Sequence, residues 1–299
     1  MIAPSPRPGG VQAAPGVRSA LVQATCLACT VRGCGLPLQA AGAVMTCAAG
    51  HAFDIARAGY VNLLQPQDRR SQAAGDAGAA VAARSALLAR GIGRAVLTHI
   101  AARSIAVAAD DILVDLGCGG GELAGGLAEE GRVQAIGIDL STMAVERAAR
   151  RFPSATWVVA NADRRLPLLS GCAAIVTSVH GRRNPAECAR VLAAAGTLIV
   201  AVPAPDDLRE LRERISGQAL PRERANAVIE EHRADFALAR RDVVREQHDL
   251  DREALLQLLQ GTYRGGRLSA APQVDALDRL TVTLASEVLE FARREPPPE

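Results

Sequence analysis

The stretch Ile112–Gly131, ILVDLGCGGGELAGGLAEEG, decides the fold. Five residues of strand character run into a glycine loop. The loop opens a helix whose leucines and alanines recur at helical spacing until Gly131 ends it. Next, VQAIGIDLSTMAVERAARR (133–151) reads as a second strand ending at Asp139, then a helix capped by Ser141 with Arg150 and Arg151 in its last turn, where cations suit the helix dipole. Further strands are predicted at TWVVANAD (156–163), CAAIVTSV (172–179) and GTLIVAVP (196–203), with helices between them. Apolar strands alternating with amphipathic helices predict an α/β fold, a doubly wound sheet over residues 106–292. The segment from Leu208 to Gln260 reads as mostly charged helix, and RLTVTLASEVLEF (279–291) as late strand or helix.

A glycine loop before a helix serves many cofactors, so its details must discriminate. Gly117, Gly119 and Gly121 are spaced GxGxG, and Glu122 stands where a dinucleotide fingerprint has its last glycine. A pyrophosphate is therefore disfavoured. S-adenosylmethionine, whose methionine portion carries no phosphate, fits better. Asp115 precedes the loop, placed to order the turn or meet the cofactor's amino group. Asp139, at the end of the second strand, is placed to accept hydrogen bonds from two ribose hydroxyls, as the acid of a dinucleotide fold does. Asp163 ends the third strand within reach of an adenine amino group.

Upstream, CTVRGCGLPLQAAGAVMTCAAGH (29–51) gathers three cysteines and a histidine. Cys29 with Cys34 and Cys47 with His51 form two short chelating pairs, the spacing of a tetrahedral zinc site with no open position and hence a structural one. Cys26 makes CxxC with Cys29, so Cys26, Cys29, Cys47 and His51 form the alternative set. The residues between the pairs read as a hairpin that the metal helps to hold. The expected organisation is a disordered leader (1–24), a zinc-binding β domain (25–64), a helical linker (65–105), the main domain (106–292) and a flexible tail (293–299).

The 299 residues suffice for one large domain and an appendage, and no apolar run approaches the length of a bilayer span. A soluble cytoplasmic protein is expected, its seven cysteines reduced or metal-bound rather than forming a disulfide framework. All 34 basic residues are arginine, and the net charge is only +2. Any nucleic-acid contact must then rely on local patches. Arg69, Arg70, Arg182 and Arg183 are candidates for phosphate contact.

The zinc pattern, CAAGHAFDIARAGYVNLL (47–64), the linker residues Gly75, Asp76, Ala83 and Arg84, DLGCGGGE (115–122), NPAECARVL (184–192), VAVPAPDDLRELRE (200–213) and LLQGTYRGGR (258–267) occur in one chain. That combination resembles the bacterial 23S rRNA guanine-N1-methyltransferases, and the resemblance spans most of the sequence. It implies a class I methyltransferase core, N1-methylguanosine as product, a zinc domain and linker that help recognise an rRNA hairpin, and a homodimer. The chain departs from that family's usual pattern in its CxxxxC first pair, in His180 where the loop after the fourth strand tends to carry an aromatic residue, and in TYRGGR. Guanine N1 is protonated at neutral pH, and His180, beside the expected methyl position, is the candidate general base. No [ND]PPY motif follows the strand, which weighs against exocyclic amine chemistry. The alternative readings are a methyltransferase for a small molecule or protein, and a catalytically silent RNA-binding homologue.

Overall fold

The computed structural model describes residues 26–66, 78–104, 108–217, 223–261, 274 and 277–294. Arg69, Arg70, Gly75, Asp76 and the TYRGGR segment lie outside them, as do the leader and most of the tail.

Two sheets organise the described residues. The smaller is an antiparallel meander of β1 (Leu38–Ala41), β2 (Val44–Cys47) and β3 (Ala52–Asp54), where the sequence predicted a hairpin between the metal-binding pairs. The larger has eight strands in the order β10-β11-β9-β8-β5-β6-β7-β4. Its parallel part comprises β4 (Tyr60–Asn62), β5 (Ile112–Leu116), β6 (Gln134–Asp139), β7 (Thr156–Val159), β8 (Ala173–Val179) and β9 (Leu192–Pro203). β11 (Arg279–Arg293) and β10 (Phe236–Asp251) complete it in antiparallel fashion.

The charged stretch after Leu208 is thus only partly helical. It holds α6 (Arg209–Ser216), α7 (Ala225–His232) and most of α8 (Arg252–Gly261), with the sixteen-residue β10 between the last two. β10 borders the sheet, and its charges find partners on neighbouring segments: Arg241 with Glu287 and Asp249 with Arg279 on β11, and Arg245 with Asp206 in the turn after β9. Charge along a border strand blunts its open edge against further pairing, which is why so polar a sequence is extended here.

Alternation along the central strands sends side chains to two faces. One face packs Leu113, Trp157, Ile175 and Ile199 against α2 (Arg94–Arg103), α3 (Glu122–Glu129) and α4 (Thr142–Arg151), through Ile100, Leu123, Leu127 and Val145. The other packs Leu116, Ile138, Val158 and Val200 against Val191 of α5 (Pro185–Val191) and Val228 of α7, and against Leu27, Leu38 and Met45 of the N-terminal segment. The small sheet therefore lies on the large one where a helix would otherwise cover it. The two are also joined through the backbone: β4 extends the large sheet by pairing with β7 in register Val61↔Val158, Leu63 N–H donates to Val159 O, and Leu27 bridges Leu168. A third cluster joins Leu87 of α1 (Gly78–Ala89) to Leu255 and Leu258 of α8. Among the described residues no helix is long and apolar enough to cross a membrane.

Candidate active site

The carboxyl ends of β5, β6, β7 and β8 converge on the glycine loop, the position where open α/β sheets bind ligands. Gly117, Gly119 and Gly121 have φ of 73°, 54° and 82°. A Cβ on Gly121 would lie 2.4 Å from the Trp157 ring, so packing as well as conformation demands glycine there, whereas nothing lies within 4 Å of a Cβ on Gly119. The loop thus presents bare backbone to an open cleft, which suits the methionine portion of S-adenosylmethionine. The loop is tied to β6 by the N–H groups of Gly117 and Cys118, both donating to Ile138 O, and by Gly119 N–H, which donates to Asp139 Oδ2 at 3.0 Å. Asp139 Oδ1 accepts from Ser141 N–H at 2.8 Å. A carboxylate has about four acceptor sites, so a half-buried Asp139 can hold the loop and still receive ribose hydroxyls.

Asp115 is buried beneath the loop and accepts the Thr177 hydroxyl at 2.8 Å. Burial pushes its carboxyl up to about 7 against the pull of that hydroxyl, with the charges of Asp139 and Glu122 adding to the rise. Asp163 is half-buried across the cleft and paired with Arg182 Nε at 2.6 Å. A cleft there is lined by Asp163, Gly181, Arg182, Arg183 and Glu231.

His180 follows β8 with φ of 53°, and its Nε2 lies 2.9 Å from Ser286 Oγ on β11. The residue is exposed overall, and its contact with buried Ser286 draws the ring toward β11. Desolvation there, with the charges of Arg224 and Arg84, lowers the imidazole to about 4, so it is neutral at physiological pH.

Three features here left no signal in the sequence. Ser85 of α1 donates to Glu122 Oε1 at 2.6 Å, bringing the linker helix against the start of α3. Thr177 braces Asp115. His232 is fully buried and accepts from Arg183 Nε at 3.1 Å.

The N-terminal segment brings Cys29, Cys34, Cys47 and His51 together, with one ligand atom from each within 4.8 Å of every other. Cys47 Sγ and Cys29 Sγ lie 3.4 and 3.5 Å from His51 Nδ1, and Cys34 Sγ lies 3.8 Å from Cys47 Sγ. Zinc with sulfur at ~2.3 Å and nitrogen at ~2.0–2.1 Å separates tetrahedral neighbours by about 3.8 Å (S to S) and 3.6 Å (S to N). The donor set and its spacing therefore fit the metal. Cys26 is outside the cluster; its carbonyl accepts from Leu169 N–H, fixing it to the main domain.

Residues 28–72 match the family model described as RlmA, N-terminal, a zinc ribbon, and residues 113–199 match a methyltransferase domain. The chain is 36% identical over 226 residues to the 23S rRNA (guanine(748)-N(1))-methyltransferase of Streptomyces fradiae, covering 74% of this chain and 80% of that one. The chain belongs to the 23S rRNA guanine-N1-methyltransferase family. A second relative, from Micromonospora griseorubida, is 38% identical over 202 residues (61% of this chain, 68% of that one), and a third, from Bacillus subtilis, is 32% identical over 223 residues (71% and 77%). Membership accounts for both halves of the architecture: the ribbon with its Cys/His cluster and the class I methyltransferase sheet whose methyl donor is S-adenosylmethionine.

Proposed function

We propose that this chain transfers the methyl group of S-adenosylmethionine to N1 of one guanine in a 23S rRNA stem-loop. The observation that carries the reading is the union, in one chain, of the Cys29, Cys34, Cys47, His51 cluster with the glycine loop and acids of the methyltransferase sheet, across the length shared with the Streptomyces fradiae enzyme. The proposed roles are Gly117, Gly119 and Gly121 as the cradle, Asp115 as its brace, Asp139 as the ribose acceptor, Asp163 at the adenine and a structural zinc on the four ligands. We further assign the chain a homodimeric, cytoplasmic, RNA-binding state and the domain limits 25–64, 65–105 and 106–292.

The methyl donor, when bound, supplies an electrophilic carbon on a sulfonium. The protein must orient guanine N1 in line with that carbon, exclude water and help the N1 proton to leave. A guanine paired in a helix hides N1, so the target is unpaired or flipped out, with flanking phosphates met by surface arginines such as Arg182. His180 is the proposed acceptor of that proton. Its low pKa lets it pass a proton onward rather than store it, and a base so far below working pH is a weak one. Mass spectrometry of 23S rRNA nucleosides from cells lacking the gene tests the reading. Loss of one N1-methylguanosine supports it, and an unchanged nucleoside profile contradicts it.

A further inference from the structure

We infer that Arg183 binds the O6 carbonyl of the target guanine and neutralises the charge that develops there, and that buried His232 is the residue that positions it. The inference rests on the guanine-N1 reading above. Its starting point is a cation where cations are costly: the Arg183 side chain is only 7% exposed, yet it lines the cleft formed by Asp163, Gly181, Arg182 and Glu231. The neighbouring Arg182 is 64% exposed and suits a phosphate on the rim. Arg183 instead lies deep, beside Gly181, whose Cα would be only 3.4 Å from a Cβ on Gly117 of the cofactor loop. The base end of a nucleotide reaches that depth more readily than its backbone.

The guanidinium is held from behind. Nε donates to His232 Nε2 at 3.1 Å, Nη1 donates to Gly181 O at 3.2 Å, and Nη2 is 3.9 Å from Glu231 Oε2. His232 Nδ1 in turn donates to Val228 O at 2.8 Å. With Nδ1 bearing the proton, Nε2 must be the bare acceptor, so the imidazole is neutral and its tautomer fixed. Its ring stacks on Phe291 at 5.3 Å and sits 6.0 Å from Phe236, which prevents rotation. The charged and titratable groups around the pair are Glu231, Asp235 and Cys188. A guanidinium has five N–H donors, and among the described residues these contacts engage three at most, so donors remain for a ligand in the cleft.

The chemistry of the reaction says what that ligand atom is. As the N1–H bond breaks and its proton passes to His180 and on to water, the electron pair left on N1 delocalises onto O6. N1 then forms its bond to the methyl carbon, and the pair of the S–CH3 bond stays on sulfur, leaving a neutral thioether. A fixed cation donating to O6 stabilises the charge-bearing step, as an oxyanion hole does, and makes a weak base sufficient.

The test is single-turnover methylation of a 23S rRNA fragment across pH by Arg183→Gln, Arg183→Lys, His232→Phe and His232→Gln proteins, with donor affinity and melting temperature measured for each. Arg183→Gln is expected to slow methylation by roughly 10²- to 10³-fold at neutral pH. The loss should shrink at alkaline pH, where hydroxide takes the proton, while donor affinity is unchanged. Arg183→Lys, without the fork, should recover only part of the rate. His232→Phe keeps the ring packing without the acceptor and should reproduce the defect; His232→Gln restores an acceptor and should relieve it. A pH-independent loss, a loss confined to RNA affinity, or full activity in Arg183→Gln overturns the proposal. If the His232 variants do not fold, the Arg183 pair decides alone. Failure of the unmutated chain to produce N1-methylguanosine would instead reject the functional reading beneath it.

Discussion

Asp139 Oδ2 accepts the backbone N–H of Gly119 at 3.0 Å, across twenty residues of sequence. The acid that ends β6 therefore shapes the loop proposed to receive the methyl donor, in addition to its proposed contact with the ribose. Asp139→Ala removes the loop's acceptor and the ribose's together. Losing hydrogen bonds to a charged group costs about 1.5–3 kcal/mol, roughly a tenfold to hundredfold weaker affinity for S-adenosylmethionine. Calorimetry on the variant checks this, and an unchanged dissociation constant would move the ribose contact to another residue.

The ribbon's burial against the sheet makes metal a determinant of the whole chain's stability. Chelation should loosen Leu27, Leu38 and Met45 from Leu116, Ile138 and Val158, and pull on β4 where Val61 pairs with Val158. The expected result is a lower melting temperature with a single transition. Cys34→Ser and Cys47→Ser proteins should lose zinc, whereas Cys26→Ser should keep one equivalent. A ribbon that melts separately while the methyltransferase transition stays put contradicts this coupling.

How much of this was legible in advance follows from the range of the interactions. The glycine loop, the Ser141 cap and Asp139 at the end of β6 are recognisable from local spacing, whereas Asp115 lies within β5 and Asp163 beyond the end of β7 rather than at a strand end, and their partners Thr177 and Arg182 are distant in sequence. The Cys/His cluster could be read because two pairs of ligands sit on short turns. β10 was not legible, because a border strand with Arg240, Arg241 and Arg245 has too little apolar content to show a strand period. Nor was the seating of the ribbon, which depends on a register between Val61 and Val158 that no local pattern encodes. Arg183 and His232 meet only because α7 returns to the end of β8.

Asp115 gives the fold a specific pH response. Its carboxyl titrates near 3.8 ordinarily and near 7 when buried. Between those values the folded chain holds a proton that the unfolded chain has released, so this group's contribution to stability falls as pH rises through that window and is lowest above 7. A rise of that size corresponds to roughly 4 kcal/mol. Asp207, raised by burial to about 6, acts in the same sense, while His180, lowered to about 4, acts oppositely. The difference between the unmutated protein and Asp115→Asn isolates the carboxyl. Urea unfolding without donor should show the variant gaining relative stability from pH 4 to pH 8. A difference that stays constant with pH would place the Asp115 carboxyl in an ordinary range.

The function itself is tested by incubating the zinc-loaded protein with S-adenosylmethionine labelled in its methyl group and unmodified 23S rRNA fragments, then digesting the RNA to nucleosides and locating the label. The expected result is label in N1-methylguanosine from one stem-loop, dependent on Asp139 and abolished when the target guanine is replaced by adenine. Label in a different nucleoside, or none in RNA while the donor still binds, would contradict methyl transfer to guanine N1.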